Sequence, residues 1–424
     1  MPRPHIVVIG GGFAGLYTAR GLKHVPADVT VIDRHNYHLF QPLLYQVATA
    51  ALNPSDIAAP IRGILRRQKN VEVLLGEATS IDPAQKRVQL ADGGEVPYDL
   101  LVVATGATHS YFGHPEWERD APGLKTIDDA LEIRRRVLTA FEAAERETDP
   151  EKQKALLTFV VIGGGPTGVE LAGALSEIAR HTMVRDFRNI KSENARIILL
   201  EGKERVLPPY PPDLSEKARK QLVDLGVEVI TDAVVTDVSD HEVRIGERVI
   251  PTRTVLWGAG VQASPLARSL GVPLDRAGRV LVEPELTIPG HKDVFVLGDL
   301  AAVKQRDGSY VPGVAPAAIQ AGQHTALNLE RAVAGQPLRA FKYRDKGSLA
   351  TIGRAAAVAD FGKIRFGGFL AWMAWLVIHI FFLIGFRNRF LVITQWAWAY
   401  LTYQRGARLI TGRRVPRSSS GSSE

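Results

Sequence analysis

VVIGGGFAGLYTA runs from Val7 to Ala19, and VVIGGGPTGVELA runs from Val160 to Ala172. Their first six residues are identical and lie 153 residues apart. In each copy an apolar run of strand length meets three spaced glycines, and a helix-compatible stretch follows. The first copy spaces them Gly10-x-Gly12-x-x-Gly15, the second Gly163-x-Gly165-x-x-Gly168 with Ala172 one turn further on. Glycine at these places permits a tight turn, lets backbone approach a pyrophosphate and lets helix pack closely on strand. The amino end of the helix then faces the phosphates. After the first copy, the strand Val29–Ile32 delivers Asp33, 23 residues beyond Gly10, where an acid suits a ribose hydroxyl pair. After the second, Arg196–Leu200 delivers Glu201, 38 residues beyond Gly163. That longer distance marks His181–Glu193 as an insertion in the helix or its loop. A purely structural strand–turn–helix is the bland reading of either copy alone. Two copies with two acids predict two dinucleotides: FAD held at the first, and a nicotinamide that arrives and leaves at the second. An acid at Glu201 repels a 2′-phosphate and favours NADH over NADPH, while Lys203 and Arg205 pull the other way.

A second repetition supports the first. YDLLVVATGA at Tyr98–Ala107 is a buried strand ending in the Thr105-Gly106 turn, and TVLWGAG at Thr254–Gly260 is its counterpart. Both read as places where the chain crosses between nucleotide domains. VFVLGDLA at Val294–Ala301 brings Gly298-Asp299 to the carboxyl end of a strand. An aspartate there suits ribitol or a water beside a flavin phosphate, and it is equally compatible with capping a helix. Because this strand follows the second glycine motif, the nicotinamide domain is expected inside the flavin domain.

Composition narrows the chemistry. With no cysteine in 424 residues, structural disulfides, thiolate metal sites, iron–sulfur clusters and a catalytic thiol are excluded. No cluster with metal-ligand spacing appears, so no metal is expected. The first apolar run, Ile6–Ile9, is too short for a secretory signal, and secretion is not expected. The net charge of +7 is not a nucleic-acid footprint. After Phe386 stand Arg387, Arg389, Arg405, Arg408, Arg413, Arg414 and Arg417 against the single acid Glu424, so six of the seven excess charges lie there. A basic patch beside a greasy segment points to anionic lipid. Ser418–Glu424 reads as a disordered tail, with 413–424 outside the folded part.

These pieces resemble the two-dinucleotide-binding flavoproteins, many of which reduce disulfides through a cysteine pair beside the flavin. Without cysteine, that route and sulfide:quinone chemistry are closed, and electrons must pass from flavin directly to an acceptor. HNYHLFQPLLYQVATAALNPSDIAAPI at His35–Ile61 and VLWGAGVQASPLA at Val255–Ala267 are similar to the type II NADH dehydrogenases, the single-chain, non-proton-pumping NADH:quinone oxidoreductases. The resemblance runs from about residue 5 to about 412. It implies hydride transfer from NADH to FAD, then two electrons to a membrane quinone. It also places roles on residues. Glu170 matches the glutamate set between nicotinamide and flavin that assists proton movement, although a first-turns helix glutamate favoured by the macrodipole is the structural alternative. The family's quinone pattern Ala-Gln-x-Ala-x-Gln-x-Gly reads here Ala315-Pro316-Ala317-Ala318-Ile319-Gln320-Ala321-Gly322. Gln320 matches, Pro316 replaces the first glutamine, and proline still fits a helix's first turn. Lys346, in RDKGSLATIG, matches a lysine near flavin and quinone, with a solvated loop lysine as the alternative. His35 and His38 receive no role.

Phe366–Phe386 is a 21-residue run interrupted only by His379, and Phe390–Tyr403 is a shorter apolar piece. The first has spanning length, but spanning would send every arginine to the side away from the NADH domain, against the positive-inside bias. Lying in the interface keeps the arginines near headgroups, with Trp372, Trp375, Trp396 and Trp398 at the boundary. A dimer interface is the third possibility. No dedicated spanning bundle is present, so no proton pumping is expected.

The expected architecture is α/β, with two Rossmann-like domains, the second inserted in the first, and C-terminal membrane-associated helices. The flavin domain takes 1–120 and 285–340, the NADH domain 155–284, and the membrane-facing region 341–412. Leu124–Asp149 is a charged helical connector. A peripheral enzyme at the cytoplasmic face of the membrane, and a homodimer, are expected. Rival readings are a flavin reductase of a small redox protein, against which the apolar terminus argues, and a NADH-binding sensor without rapid turnover.

Overall fold

A computed structural model describes residues 3–402 and 407–411. β1 (His5–Ile9) is apolar and buried from its second residue, so it can form the middle of a sheet covered on both faces. It leads through the first glycine turn into α1 (Phe13–Gly21), then β2 (Asp28–Asp33), β3 (Val71–Leu75) and β4 (Leu100–Val103). β1 is flanked in parallel by β2 and β4, with Val8 opposite both Val31 and Val102. The chain leaves this sheet through β5 (Ala107–His109). α2 (Ile127–Arg146) follows, started by a capping box in which Thr126 and Asp129 satisfy each other's backbone N–H groups. It occupies the expected connector.

The second sheet repeats the plan. β6 (Thr158–Ile162), α3 (Pro166–Glu177), β7 (Arg196–Leu200), β8 (Val227–Ile230) and β9 (Thr254–Trp257) give the order β8-β7-β6-β9, all parallel. The insertion continues α3 as a π-helical turn over Ile178–Thr182. β10 (Val261–Ala263) then pairs antiparallel with β5, Thr108 opposite Gln262. The outward and return crossings are thus one two-stranded ribbon. Beyond it, Ala263, Leu266, Ala267 and Leu270 are buried with Val7 and Ile9 of β1. Segment 261–284 therefore packs on the first sheet, and the return falls near Gly260 rather than at the expected 284.

β11 (Thr287–Ile288) and β12 (His291–Val296) complete the first sheet in the order β11-β12-β4-β1-β2-β3. α4 (Ala315–Val333) lies directly on α1. Small residues allow it: a Cβ at Gly322 would stand 2.3 Å from the Ala14 carbonyl oxygen, and one at Gly21 2.5 Å from Ala326 Cβ. A three-stranded antiparallel sheet follows, β13 (Ser348–Gly353), β14 (Ala356–Asp360) and β15 (Arg365–Gly367). α5 (Phe369–Phe382) and α6 (Phe386–Thr402) end the described fold.

The 21-residue apolar run is divided among three elements. Gly368 precedes α5 with φ +78°, Leu383 after it is extended, and Gly385 takes φ +93° before α6. The 14 residues of α5 make about 21 Å of helix, short of the ~30 Å hydrocarbon core. Among the described residues no helix is long and apolar enough to cross a membrane. One face of the hairpin is core, with Trp375, Leu383 and Val392 buried alongside Phe40, Leu44 and Leu171. Arg405, Arg413, Arg414, Arg417 and the expected tail at 413–424 lie outside the described residues.

Candidate functional site

Two cradles face the carboxyl ends of the two sheets, built on one plan. In the first, Gly10 takes φ +102°, and a Cβ on it would lie 2.4 Å from the Ala104 carbonyl oxygen. In the second, Gly163 takes φ +104°, and its Cβ would lie 2.6 Å from the Ala259 nitrogen. Each leading glycine is thus pressed on the segment that leaves its sheet, which explains why the glycine motif is paired with a second motif (ATG, then GAG). The trailing glycines are equally constrained, since a Cβ at Gly15 or Gly168 would stand 1.8 Å from the carbonyl oxygen of Gly10 or Gly163. The central glycines differ. Gly12 and Gly165 are the N-caps of α1 and α3 without side-chain caps, and nothing lies within 4 Å of a Cβ placed on either. Open space above uncapped backbone N–H groups is what a pyrophosphate requires.

The two acids are held alike. Asp33 accepts from Gly11 N at 2.5 Å and from His35 N at 2.7 Å, one bond to each oxygen. Glu201 accepts from Gly164 N at 2.6 Å and from Lys203 N at 2.8 Å. Each carboxylate is locked in orientation and keeps a lone pair on each oxygen for a ribose hydroxyl. The amides of Gly11 and Gly164 were not singled out in the sequence, though the unbroken GGG run carries them. His38 is a second addition. It is buried, and because a carbonyl only accepts, its Nδ1–H donates to Gly11 O at 2.9 Å. Burial, the largest influence, lowers its pKa, so it stands neutral, and its Nε2 has no partner among the described residues.

The remaining first-cradle residues converge on its mouth. Thr105 follows β4, and its buried hydroxyl has no partner among the described residues. Gly298 takes φ +65°, its Cβ position falling 3.5 Å from Ala14 and 3.7 Å from Ala318, so β12, α1 and α4 meet there. Lys125, unmarked in the sequence, reaches the same place. Desolvation lowers its pKa and the charge of Asp299 opposes that shift. Orphaned Thr105, an uncapped helix end and the Lys125 cation within electrostatic reach of Asp299 fit an anionic dinucleotide bearing a hydroxylated chain. Gly106 and Gly260 take φ +67° and +72°, on the two crossings, and a Cβ at Gly260 would strike the Phe112 ring at 2.6 Å.

Glu170 lies on α3, five residues past Gly165. It is only partly accessible there. Burial raises its pKa well above the usual carboxyl range, against the Thr351 N–H that bonds it. The hydroxyl of buried Tyr210 is also shifted up, first by burial and then by the charge of Glu170. β13, which supplies Thr351, is jammed on α3 where a Cβ at Gly173 would sit 1.6 Å from Ile352 O. Lys346 stands two residues before that strand, exposed, and makes no ion pair with Glu170 among the described residues. Pro316 takes the first turn of α4 and Ala317 is buried. Both ends of the Gln320 amide bond the backbone of Arg344, Nε2 to its oxygen at 2.9 Å and Oε1 from its nitrogen at 3.0 Å. The structure groups the first-cradle residues at one mouth and the second-cradle residues at the other, and it leaves Lys346 on the surface.

Residues 4–322 match the family model described as pyridine nucleotide-disulphide oxidoreductase, and residues 346–403 match the NDH2 C-terminal domain. The chain is 47% identical over 430 residues to the type II NADH:quinone oxidoreductase Ndh of Mycobacterium tuberculosis, covering 98% of this chain and 92% of that one. It is 30% identical to the mitochondrial internal alternative NAD(P)H-ubiquinone oxidoreductase A1 of Arabidopsis thaliana, over 93% of this chain and 83% of that protein. The fold superimposes on Plasmodium falciparum NDH2, solved in complex with NADH, with TM-score 0.87 and 19% identity, covering 97% of this chain and all of the other.

Proposed function

The chain belongs to the type II NADH:quinone oxidoreductases, and from that premise we propose how its residues divide the work. It is an FAD-dependent enzyme that oxidises NADH and reduces quinone. The observation that carries the residue-level reading is the pair of cradles, each with a bare helix end and an acid fixed by two backbone amides. When bound, the flavin accepts hydride from the nicotinamide and delivers two electrons to quinone.

The backbone of Gly10, Gly12 and Gly15, with Asp33, Thr105, Gly106, Gly298 and Asp299, holds FAD. Lys125 adds a positive charge near Asp299 at the same mouth. Gly163, Gly165, Gly168, Glu201 and Gly260 hold NADH. Glu201 refuses a 2′-phosphate by charge, and its fixed orientation supports a preference for NADH over NADPH. Burial favours the protonated form of the Glu170 carboxyl, and that proton is the one we assign to transfer toward the reduced quinone. Lys346 is the second proton-bearing group. We place the quinone near the amino end of α4, around Pro316 and Ala317. The domain division follows the two sheets, with the flavin part resuming at the return crossing and the membrane-facing part beginning near residue 341.

The membrane reading rests on the hairpin's outer face. Phe369, Leu370, Met373, Val377 and Phe381 of α5 are exposed along one side, as are Phe390, Ile393 and Trp398 of α6. Such a patch marks a lipid or partner surface, and we assign it to lipid at the cytoplasmic face, with the homodimer formed elsewhere. Extraction of the yellow cofactor and assays with soluble quinones and both nicotinamides test the whole scheme. NADH consumption that rises steeply on adding quinone is the expected result. A colourless protein, or oxidation indifferent to quinone, overturns it. Rapid mixing tests Glu170: the Glu170→Gln variant should slow quinone reduction more than flavin reduction, and two unchanged half-reactions remove its role.

A further inference from the structure

The geometry points to Gln320 as a positioning residue that sets the backbone under Lys346, with no direct bond to the quinone headgroup. The inference rests on the proton-bearing role given to Lys346 above. Residues 336–347 form no helix or strand and run back along α4. Side chains of α4 bond this strap in place of a neighbouring strand. Asn328 Nδ2 donates to Arg339 O at 2.9 Å while Arg339 N donates to Asn328 Oδ1 at 2.9 Å. Gln320 repeats that two-bond ring on Arg344. Between them, His324 Nε2 lies 2.8 Å from Arg339 O, and beyond Asn328 Arg331 Nε donates to Pro337 O at 2.7 Å. Positions 320, 324 and 328 are spaced by four, so they share one helix face.

The clamp lies two residues before Lys346, and the far side of that lysine is fixed too. Gly347 N donates to Asp345 Oδ1 at 2.9 Å. Gly347 has φ +85°, and a Cβ on it would fall 2.4 Å from Asp360 O, where β13 begins its pairing with β14. Lys346 is therefore a long side chain on a backbone held at both ends. A glutamine bonded incidentally at a surface would leave one end of its amide to solvent. Here both ends are engaged, and Asn328 makes the same ring eight residues on. The motif as it stands in this chain offers Pro316, which has no polar side chain, and Gln320, which is committed to the strap.

The test uses full-length enzyme with its flavin, comparing Gln320→Leu, Lys346→Met and the double variant. Hydrogen–deuterium exchange over residues 337–347 should quicken about tenfold or more in Gln320→Leu, as expected for two lost hydrogen bonds, with α4 unchanged. With a short-tailed quinone, kcat should fall while the quinone KM holds. Adding Gln320→Leu to Lys346→Met should cost nothing further. Unchanged exchange, or a raised quinone KM with the two losses multiplying, overturns the inference in favour of direct quinone contact. If Lys346→Met keeps full turnover, the lysine's assigned role falls, and the exchange measurement still decides whether Gln320 clamps the strap.

Discussion

At the scale of single residues, the glycines separate into those shaped by the protein and those shaped by its ligands. Gly15 has a backbone oxygen 1.8 Å from where a methyl would sit. Gly15→Ala must therefore shift helix from strand, costing about 1–3 kcal/mol and the cofactor with it. Gly12 has nothing within 4 Å and a φ of −68° that alanine adopts freely. Gly12→Ala should leave the flavin-free protein as stable, or firmer by about 0.4–1 kcal/mol, yet weaken FAD retention. Thermal melts paired with flavin absorbance check both, and equal behaviour of the two variants would refute the distinction. This much was legible, because the turn's spacing is local. Lys125 and His38 were not, since their meaning comes from the nearby charge of Asp299 and from a bond to Gly11 that no periodicity encodes. Glu170 was legible only through resemblance, and its burial supplies a separate check. With its folded pKa raised above the unfolded one, the folded state keeps a proton that the unfolded chain has lost. Stability is then given up as pH rises from the ordinary carboxyl value through the raised one. Glu170→Gln still accepts from Thr351 N–H and removes that penalty. The variant should gain apparent thermal midpoint over the parent at neutral and alkaline pH and match it near pH 4, as scanning calorimetry would show.

At the scale of elements, strands and helices of both cradles fell where apolar runs and glycines put them, and Arg196–Leu200 is a strand to the residue. What failed was a boundary. VQASPLA has no helical or strand period, and only its long-range packing on β1 assigns it to the first sheet. The terminal helices show a related limit. Hydropathy measures the length of a run and is blind to where the backbone bends. The warning was Gly385, whose left-handed φ ends any continuous helix through 366–386. Within α5, His379 turned from an interruption into a packing residue. Its Nδ1–H donates to Trp375 O at 2.7 Å, and its ring stacks on Trp375 at 4.2 Å. Burial pushes its pKa down to about 4 from the usual 6.5. Unfolded chains thus bind a proton between those values that the folded hairpin refuses, and stability declines as pH falls through the window, by up to about 3 kcal/mol. His379→Phe should flatten that acid limb while leaving the midpoint near pH 7.5 little changed. An acid limb of unaltered slope in the variant would show that other groups cause it.

At the scale of the whole molecule, the two cradles are joined by the β5–β10 ribbon, and the hairpin α5–α6 is docked by one face on the segment that follows the first cradle. Trp396 Nε1 donates to Gln46 Oε1 at 2.7 Å, and Phe40 meets His379 edge to face at 6.2 Å. The outer face is therefore held at a set orientation to the first cradle. Charge alone does not make this surface. Arg389 donates to the carbonyl oxygens of Leu383 and Phe381, closing the end of α5, and Arg408 pairs with Asp186, so the arginines whose side chains are described serve the fold. Membrane affinity should then depend chiefly on the apolar row. Replacing Leu370 and Phe381, 69% and 67% exposed, by aspartate removes two large side chains and adds two charges without touching the core. The double variant should lose co-sedimentation with anionic vesicles and slow turnover of a long-tailed quinone, while NADH oxidation with a water-soluble quinone persists. The contrast between the two quinones is what isolates docking from chemistry. If vesicle binding survives and sedimentation equilibrium instead reports half the parent mass, the row is a contact between two copies, and lipid is reached by another surface.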